Sequence, residues 1–324
     1  MYHAVRIHEV GGPEVLRWET VSVPDPGPTE VRLRQTAVGV NYIDTYHRSG
    51  LYPVPSFPAV LGVEGAGVVE CVGSDVTTVK PGDRVAYAGV LGGYAEVRIL
   101  PADRLVTLPP WLEDSQAAAV MLQGMTAEFL LHRTYRVTAA DTILVQAAAG
   151  GVGLLLCQWA SRLGATVIGT VSTAAKAELA YAHGCHHVIR YTEEDFVERV
   201  RSLTTGAGVS VVYDGVGQTT FQGSLACLRP RGLMVSFGQA SGSIPPFDIA
   251  TLSAKGSLYL TRPSLFTYIA KREDLVASAA LLFDAIQDGT LAIQVGQHFP
   301  LADAASAHRA LAARSTVGAT LLVP

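Results

Sequence analysis

The chain has 324 residues, more than one hydrophobic core usually serves, so two domains of ordinary size are expected. Hydrophobic residues make up 49% and charged ones 16%, which excludes a disordered chain. A net charge of -4 without any block of Lys and Arg argues against nucleic acid as the main partner.

In chain order, Met1 to Gly12 lacks the continuous apolar core of a signal peptide, and nothing in it directs export. Up to about Pro110 short β-rich segments are cut by turns: Glu30 to Gln35, Gly67 to Val72, Asp83 to Ala88 and Ala95 to Leu100. An all-β or α+β domain is the reading. After Pro109-Pro110 the pattern changes to apolar strands, Thr142 to Ala147, Ala165 to Val171, His187 to Tyr191, Val209 to Asp214 and Leu233 to Phe237. Between them lie helical segments at Val152 to Leu163, Ala174 to His183, Glu194 to Leu203 and Thr219 to Leu228. Such alternation, with strands apolar on both faces, implies a doubly wound parallel sheet covered by helices, hence an α/β protein. Gly256 to Thr261 reads as one more strand, and the tail from Glu273 holds an amphipathic helix, a Gly-rich turn and a last strand, Ala319 to Val323. That strand is expected to return to the first domain.

The longest apolar stretch, Thr142 to Ala160, carries Gln146, Gln158 and three glycines, so it reads as strand, turn and helix and no membrane span is expected. Cys71, Cys157, Cys185 and Cys227 form no Cys-x-x-Cys pair; reduced packing residues in a cytoplasmic protein are expected.

The segment Leu144 to Leu154 places a strand, a tight turn and a helix start in the order a dinucleotide needs. Read as A-x-G-x-x-G, it assigns Ala148, Gly150 and Gly153 to the fingerprint positions. Small residues let the backbone approach a pyrophosphate, and the positive helix end stabilises its charge. About 20 residues on, an NAD-binding chain offers a carboxylate to the ribose. Here the strand end reads Gly169-Thr170-Val171-Ser172-Thr173-Ala174-Ala175-Lys176. Ser172, Thr173 and Lys176 can donate to a 2′-phosphate, which favours NADPH. Capping of the next helix by Ser172 or Thr173, with Lys176 solvated, explains the same residues.

Gly62-Val63-Glu64-Gly65-Ala66-Gly67, Pro81-Gly82-Asp83-Arg84-Val85, the glycine turn and Val212-Tyr213-Asp214 stand in an order that resembles the medium-chain dehydrogenases/reductases. Asn41-Tyr42-Ile43-Asp44-Thr45-Tyr46, Arg48 to Pro53, Gly232 to Gly238 and Thr261 to Leu265 resemble the zinc-free, zeta-crystallin-like NADPH:quinone oxidoreductases in particular. The zinc-containing relatives carry Cys where this chain has Asn41 and His where it has Val63, and their Cys-rich lobe is missing between Tyr87 and Leu100, so no metal is expected.

The resemblance implies a Rossmann-type domain inserted in a mainly β, chaperonin-10-like (GroES-like) substrate domain. The implied bounds are 1–122 for the substrate domain, 123–266 for the cofactor domain and 267–324 for a segment returning to the first. It places Asn41, Tyr42, Ile43, Asp44, Tyr46 and Thr126 near the nicotinamide, and Gly151, Val152, Ser172, Lys176 and Tyr191 along the phosphates. Val216, Phe237, Gly238, Gln239, Ala240, Ser264, Leu265 and Phe266 would line the rest of the groove. Gln239-Ala240 departs from the Asn-Ser of the family, and Ser172 stands where Gly is common. A homodimer pairing an edge strand near Gly256 to Thr261 is implied too.

The activity implied is hydride or electron transfer from NADPH to a quinone, with Asn41, Tyr46, Tyr52 and Arg262 as candidate donors to the acceptor oxygen. Each of the four reads equally as core packing or loop support. Reduction of an enone or alkenal double bond, and a non-catalytic NADPH-binding protein with a structural or RNA-associated role, are the alternatives.

Overall fold

The structure, a computed structural model, describes residues 1–324. The chain forms two compact units. One comprises Met1–Met125, Ile269–Ala280 and Ile293–Pro324, the other Thr126–Tyr268 and Leu281–Ala292.

The chain opens with β1 (Tyr2–Ile7), β2 (Arg17–Val21) and β3 (Glu30–Val40), then α1 (Tyr42–Ser49), β4 (Ala59–Val60) and β5 (Glu64–Val72). β6 (Arg84–Ala88), β7 (Val97–Pro101), β8 (Val106–Thr107) and α2 (Asp114–Phe129) follow. β1 lies between β2 and β4, while β3 pairs antiparallel with both β5 and β7. Along β3 burial alternates as far as Thr36 and then becomes continuous through Val40. This change of pattern is why the strand outruns the expected Glu30 to Gln35, since one-sided burial writes a period of two and two-sided burial does not. β5 likewise begins at Glu64, three residues before its expected start, with two glycines inside it. A Cβ on Gly67 would overlap Arg34 O of β3, and one on Gly65 would lie 2.7 Å from the Tyr87 hydroxyl. Close packing therefore explains the glycines of Gly62 to Gly67.

Two helices of this region were not expected. In α1 the apolar positions are few; the helix is fixed instead by Asn41 N–H donating to Asp44 Oδ2 at 2.9 Å and by Gly50, left-handed at φ 80°, at its C-terminal end. α2 is apolar nearly all round, with Ala117 to Met121 buried, so no amphipathic stripe marks it.

The second unit holds β9 (Thr142–Val145), α3 (Gly151–Arg162), β10 (Thr166–Val171), α4 (Ala174–Ala182), β11 (His187–Arg190) and α5 (Phe196–Leu203). β12 (Val209–Asp214), α6 (Phe221–Ala226), β13 (Leu228–Ser236), α7 (Ala250–Ala254), β14 (Tyr259–Thr261) and α8 (Leu265–Tyr268) complete it. Its sheet runs β11-β10-β9-β12-β13-β14, every pair parallel. This is the dinucleotide-binding order 3-2-1-4-5-6, whose reversal between β9 and β12 opens a crevice at the strand ends. β13 starts at Leu228, ahead of the expected Leu233, so the helix expected over Thr219 to Leu228 shortens to α6. β14 is shorter than Gly256 to Thr261 because Gly256 and Ser257 are left-handed, with φ 107° and 56°.

In the tail come α9 (Arg272–Gln287), β15 (Val295–Pro300), α10 (Ala304–Ala312) and β16 (Ala319–Val323). β16 pairs antiparallel with β3 and parallel with β15, so the last strand does return to the first sheet. No helix is long and apolar enough to cross a membrane.

Candidate cofactor and active site

Beyond β9 the backbone turns sharply: Ala147 is left-handed at φ 55°, Gly150 N–H donates to Ala147 O at 2.9 Å, and Ala148 N–H donates to Thr170 O at 3.0 Å. Gly150 is the N-cap of the 12-residue α3 and makes no side-chain cap bond. The donors of the first helical turn thus have no side-chain cap at the crevice mouth, the arrangement that suits an anion. A Cβ on Gly153 would overlap Ala147 O and lie 2.9 Å from Ala148 C, whereas one on Gly150 would meet only Ala147 O, at 3.2 Å. Gly153 packs the helix onto the turn, and Gly150 leaves open space beside it. These residues fit a dinucleotide pyrophosphate.

A buried polar chain underlies the turn. Thr170 Oγ1 donates to Gln146 Oε1 at 2.6 Å, Gln146 Nε2 to Ser224 Oγ at 3.1 Å, and Ser224 Oγ to Asp214 Oδ2 at 2.8 Å. Asp214, fully buried at the end of β12, also accepts from Val216 N, Gly217 N and Thr220 Oγ1. The Val216 turn is thereby fixed to the glycine turn. Gly238 passes so close to Gly215 that a Cβ would lie 2.8 Å from Gly215 Cα, and Ala240 N–H donates to Gly215 O. Val216, Phe237, Gly238, Gln239 and Ala240 are therefore gathered by backbone crossing. Arg262 Nη1 donates to Ser236 O at 2.9 Å and Gly238 O at 3.0 Å, which makes it a brace for this loop. Ser264, Leu265 and Phe266 open α8, with Leu265 buried and Phe266 exposed; Thr126 is buried.

At the end of β10, Thr173 caps α4 by accepting from Lys176 N–H at 3.3 Å, and Ser172 O accepts from Thr192 Oγ1 at 2.9 Å. Tyr191 N–H donates to Val171 O, and its ring is exposed. Ser172, Thr173, Lys176 and Tyr191 thus meet at one strand end, with Thr173 serving as a cap.

In the first unit, Asn41 is buried at the start of α1. Its Nδ2 donates to Glu64 Oε2 at 2.7 Å and its Oδ1 accepts from Gln123 Nε2 at 3.2 Å. One N–H of the carboxamide remains for another acceptor. Asp44 Oδ2 accepts from Tyr94 OH at 2.9 Å as well as from Asn41 N–H, while its buried Oδ1 has no partner. Tyr94 OH also lies 2.9 Å from His308 Nε2, and Arg48 Nη1 lies 3.0 Å from His308 Nδ1. Because Tyr94 donates to Asp44 and Arg48 can only donate, His308 carries its proton on Nε2 and the chain runs one way, from Arg48 to Asp44. Burial, and then Arg48, push His308 down to about 3. Burial pushes Asp44 up to about 7 and Glu64 up to about 8 against the bonds that favour their ions. Tyr46 is buried with its ring edge-on to Tyr52 at 5.3 Å, Tyr42 OH donates to Leu311 O at 3.1 Å, and Ile43 is half-buried.

Four residues here were not among the expected site residues: Glu64 and Asp214, which entered only as members of motifs, and Gln123 and His308. Glu64 had a signal, a carboxylate inside a strand of glycines and small apolar residues, but His308 sits among alanines on α10 with nothing to set it apart.

Residues 27–110 match the family described as alcohol dehydrogenase GroES-like domain, and residues 151–276 the one described as zinc-binding dehydrogenase. With the sheet order above, these define a medium-chain dehydrogenase/reductase, a Rossmann-type domain joined to a GroES-like one. The chain is 52% identical to a quinone oxidoreductase of Pseudomonas aeruginosa, with 100% of both covered. It is 47% identical to a 2-haloacrylate reductase of a Burkholderia species, over 100% of this chain and 99% of the other. The crystal structure of Escherichia coli quinone oxidoreductase complexed with NADPH matches at a TM-score of 0.97 and 48% identity, covering 99% of this chain and 100% of that one. The chain belongs to the quinone oxidoreductase family. One family description names zinc, which the residues do not fit: Asn41 Oδ1 is taken by Gln123, Val63 has no donor atom, and no three His, Cys, Asp or Glu side chains are grouped to hold a metal.

Proposed function

We propose that the protein is an NADPH-dependent quinone oxidoreductase that works without a metal ion. The observation that carries this is the uncapped glycine turn at the sheet's switch point, followed by a strand end bearing Ser172, Thr173 and Lys176 and no carboxylate. NADPH, when bound, supplies the hydride. Ala148, Gly150, Gly151, Val152 and Gly153 would hold its pyrophosphate and Ser172, Lys176 and Tyr191 its 2′-phosphate. Val216 and the Phe237–Ala240 loop would flank its length, and Asn41 to Tyr46 with Thr126 the nicotinamide. The protein's own part is to position the reacting rings and exclude water, and a quinone asks little more because its reduced anion is already stabilised. Asn41 would donate its remaining N–H to the acceptor oxygen, and Tyr46 and Tyr52 would wall the acceptor.

Reduction of an activated double bond is the second reading, favoured by the 47% identity to a 2-haloacrylate reductase. Oxidation of NADPH and NADH by EDTA-treated protein with 1,4-benzoquinone, and separately with 2-chloroacrylate, tests both. Turnover of the quinone with at least a ~10-fold preference for NADPH in kcat/KM is expected, the scale of one charge-assisted contact. Turnover of the acrylate alone would transfer the function to the second reading, and loss of activity on chelation would overturn the metal-free one.

We further propose a cytoplasmic homodimer paired through β14, whose Tyr259 is 62% exposed at the sheet edge. A monomer in sedimentation at micromolar concentration would remove the dimer.

A further inference from the structure

Glu64 has no part in the reaction as described, yet its carboxyl is wholly buried. A buried acid is weak support for stability, because desolvation offsets what its bonds return. What this one does is hold two donors: Asn41 Nδ2 on Oε2, and Leu122 N–H on Oε1 at 2.6 Å. The next residue of α2, Gln123, holds the opposite end of the Asn41 carboxamide. β3 makes room for the carboxyl, since a Cβ on Gly39 would overlap Glu64 Oε2. β5 and α2 thus hold the two ends of one amide, and β3 and α2 pack on the carboxyl that holds it.

We propose that Glu64 is a positioning residue for the reduction: its carboxyl group, once ionised and with Gln123 opposite, locks the Asn41 carboxamide in a single flip state and so fixes the N–H that the acceptor oxygen receives. This rests on the role given above to Asn41. The lock is directional, because a carboxylate can only accept and so selects Nδ2 over Oδ1. It also depends on pH. Burial first, and then the charge of Asp44, push Glu64 up to about 8, and a proton on either oxygen must be accommodated beside an N–H already donating there. Asp44 from α1 and Tyr87 from β6 are the titratable groups around it, with the Arg98 guanidinium of β7 4.7 Å from the centre of the Tyr87 ring. β3 contributes Gly39, and α2 contributes Ala118 O, Leu122 N–H and Gln123, none of which titrates.

The test uses 15N-labelled full-length protein, with the Asn41 side-chain amide signal assigned by its loss in Asn41→Ala. The expected result is one slowly exchanging signal that moves with a midpoint above pH 7 and does not move in Glu64→Gln. In parallel, at pH 8.5, where the parental carboxyl is mostly ionised, Glu64→Gln is expected to lower kcat with 1,4-benzoquinone by about 10-fold or more while the Kd for NADPH stays within about 3-fold, because the interaction serves the reacting acceptor, and the two proteins are expected to converge at pH 6.5. Gln123→Met, which removes the clamp from the other side, is expected to lower kcat in the same manner and serves if Glu64→Gln does not fold. An Asn41 signal indifferent to pH, or a Glu64→Gln enzyme with the parental kcat and pH profile, would overturn the proposal. So would a loss shared equally by kcat, NADPH affinity and melting temperature. If the parental enzyme reduces no quinone while the Asn41 signal still follows Glu64, the acceptor assignment falls and the lock stands.

Discussion

Replacing Gly153 with valine is expected to raise the Kd for NADPH at least ~100-fold, equivalent to about 2.7 kcal/mol. The added atoms meet Ala147 O and the Ala148 backbone, and no flexible side chain is there to yield. The turn itself must move, and overpacking of this kind costs roughly 1–3 kcal/mol. Since the displaced atoms belong to the segment that presents donors to the pyrophosphate, stability and affinity should fall together. Gly150→Ala separates the two effects. Gly150 has φ -80°, a conformation any residue adopts, and its Cβ would meet only Ala147 O. Its melting temperature should stay near the parental value while NADPH binding weakens by about 10-fold, because the methyl enters the space left for the ligand. Fluorescence titration of NADPH with thermal melts of both variants decides this; a Gly153→Val protein that binds NADPH as the parent does would remove the turn from the cofactor site.

The doubly wound sheet was legible because its strands are apolar on both faces and separated by helices of ordinary length. Val209–Asp214 and Ala319–Val323 were read to the residue. Misreadings fell where burial stops writing a period. β3 was cut at Gln35 because Thr36 to Val40 passes from one-sided to two-sided burial, and α2 was missed because it is apolar all round. The glycine turn was readable since its spacing follows from ligand geometry. The layer beneath it was not: Gln146, Ser224 and Asp214 lie far apart in sequence, and only the parallel order of β9, β10 and β12 brings them within hydrogen-bond reach. Arg262 shows what a side-chain list omits: its type suggested a donor to substrate, and in the fold its Nη1 also braces the carbonyls of Ser236 and Gly238. Asn41 shows the opposite. Its residue type was noticed, while the two groups that orient it sit 23 and 82 residues away.

Raising the pH from 6.5 to 8 is expected to destabilise the folded protein by about 2 kcal/mol, an order-of-magnitude figure obtained by linkage from Asp44 and Glu64. Both acids ionise late in the fold, pushed up to about 7 and about 8, so the folded chain still carries their protons at pH 6.5, while in the unfolded chain they ionise near their ordinary values, 3.8 and 4.5. The folded state therefore binds more protons across this window, and stability falls as the pH climbs through the folded values. His308 works in the other direction. Burial and Arg48 hold it down to about 3 in the fold against 6.5 unfolded, so it adds stability between those limits and only a few tenths of a kcal/mol above the upper one. Stopping at pH 8 keeps most of the ionisation of unfolded cysteines out of the measurement, since Cys157 is pushed up by its hydrogen bond with Cys185 and then by burial, and Cys227 by burial. Urea midpoints at pH 6.5, 7.25 and 8 give the slope, and Asp44→Asn and Glu64→Gln should each flatten it, with Glu64→Gln removing the larger share because its folded value lies higher in the window. The absolute midpoints of the variants are immaterial, as only the slope reports the titration. Parental and variant proteins losing stability in parallel would place the pH dependence elsewhere, and a midpoint that rises with pH would mean that these two acids are ionised in the fold, with Asp44 Oδ1 then a buried charge lacking a partner.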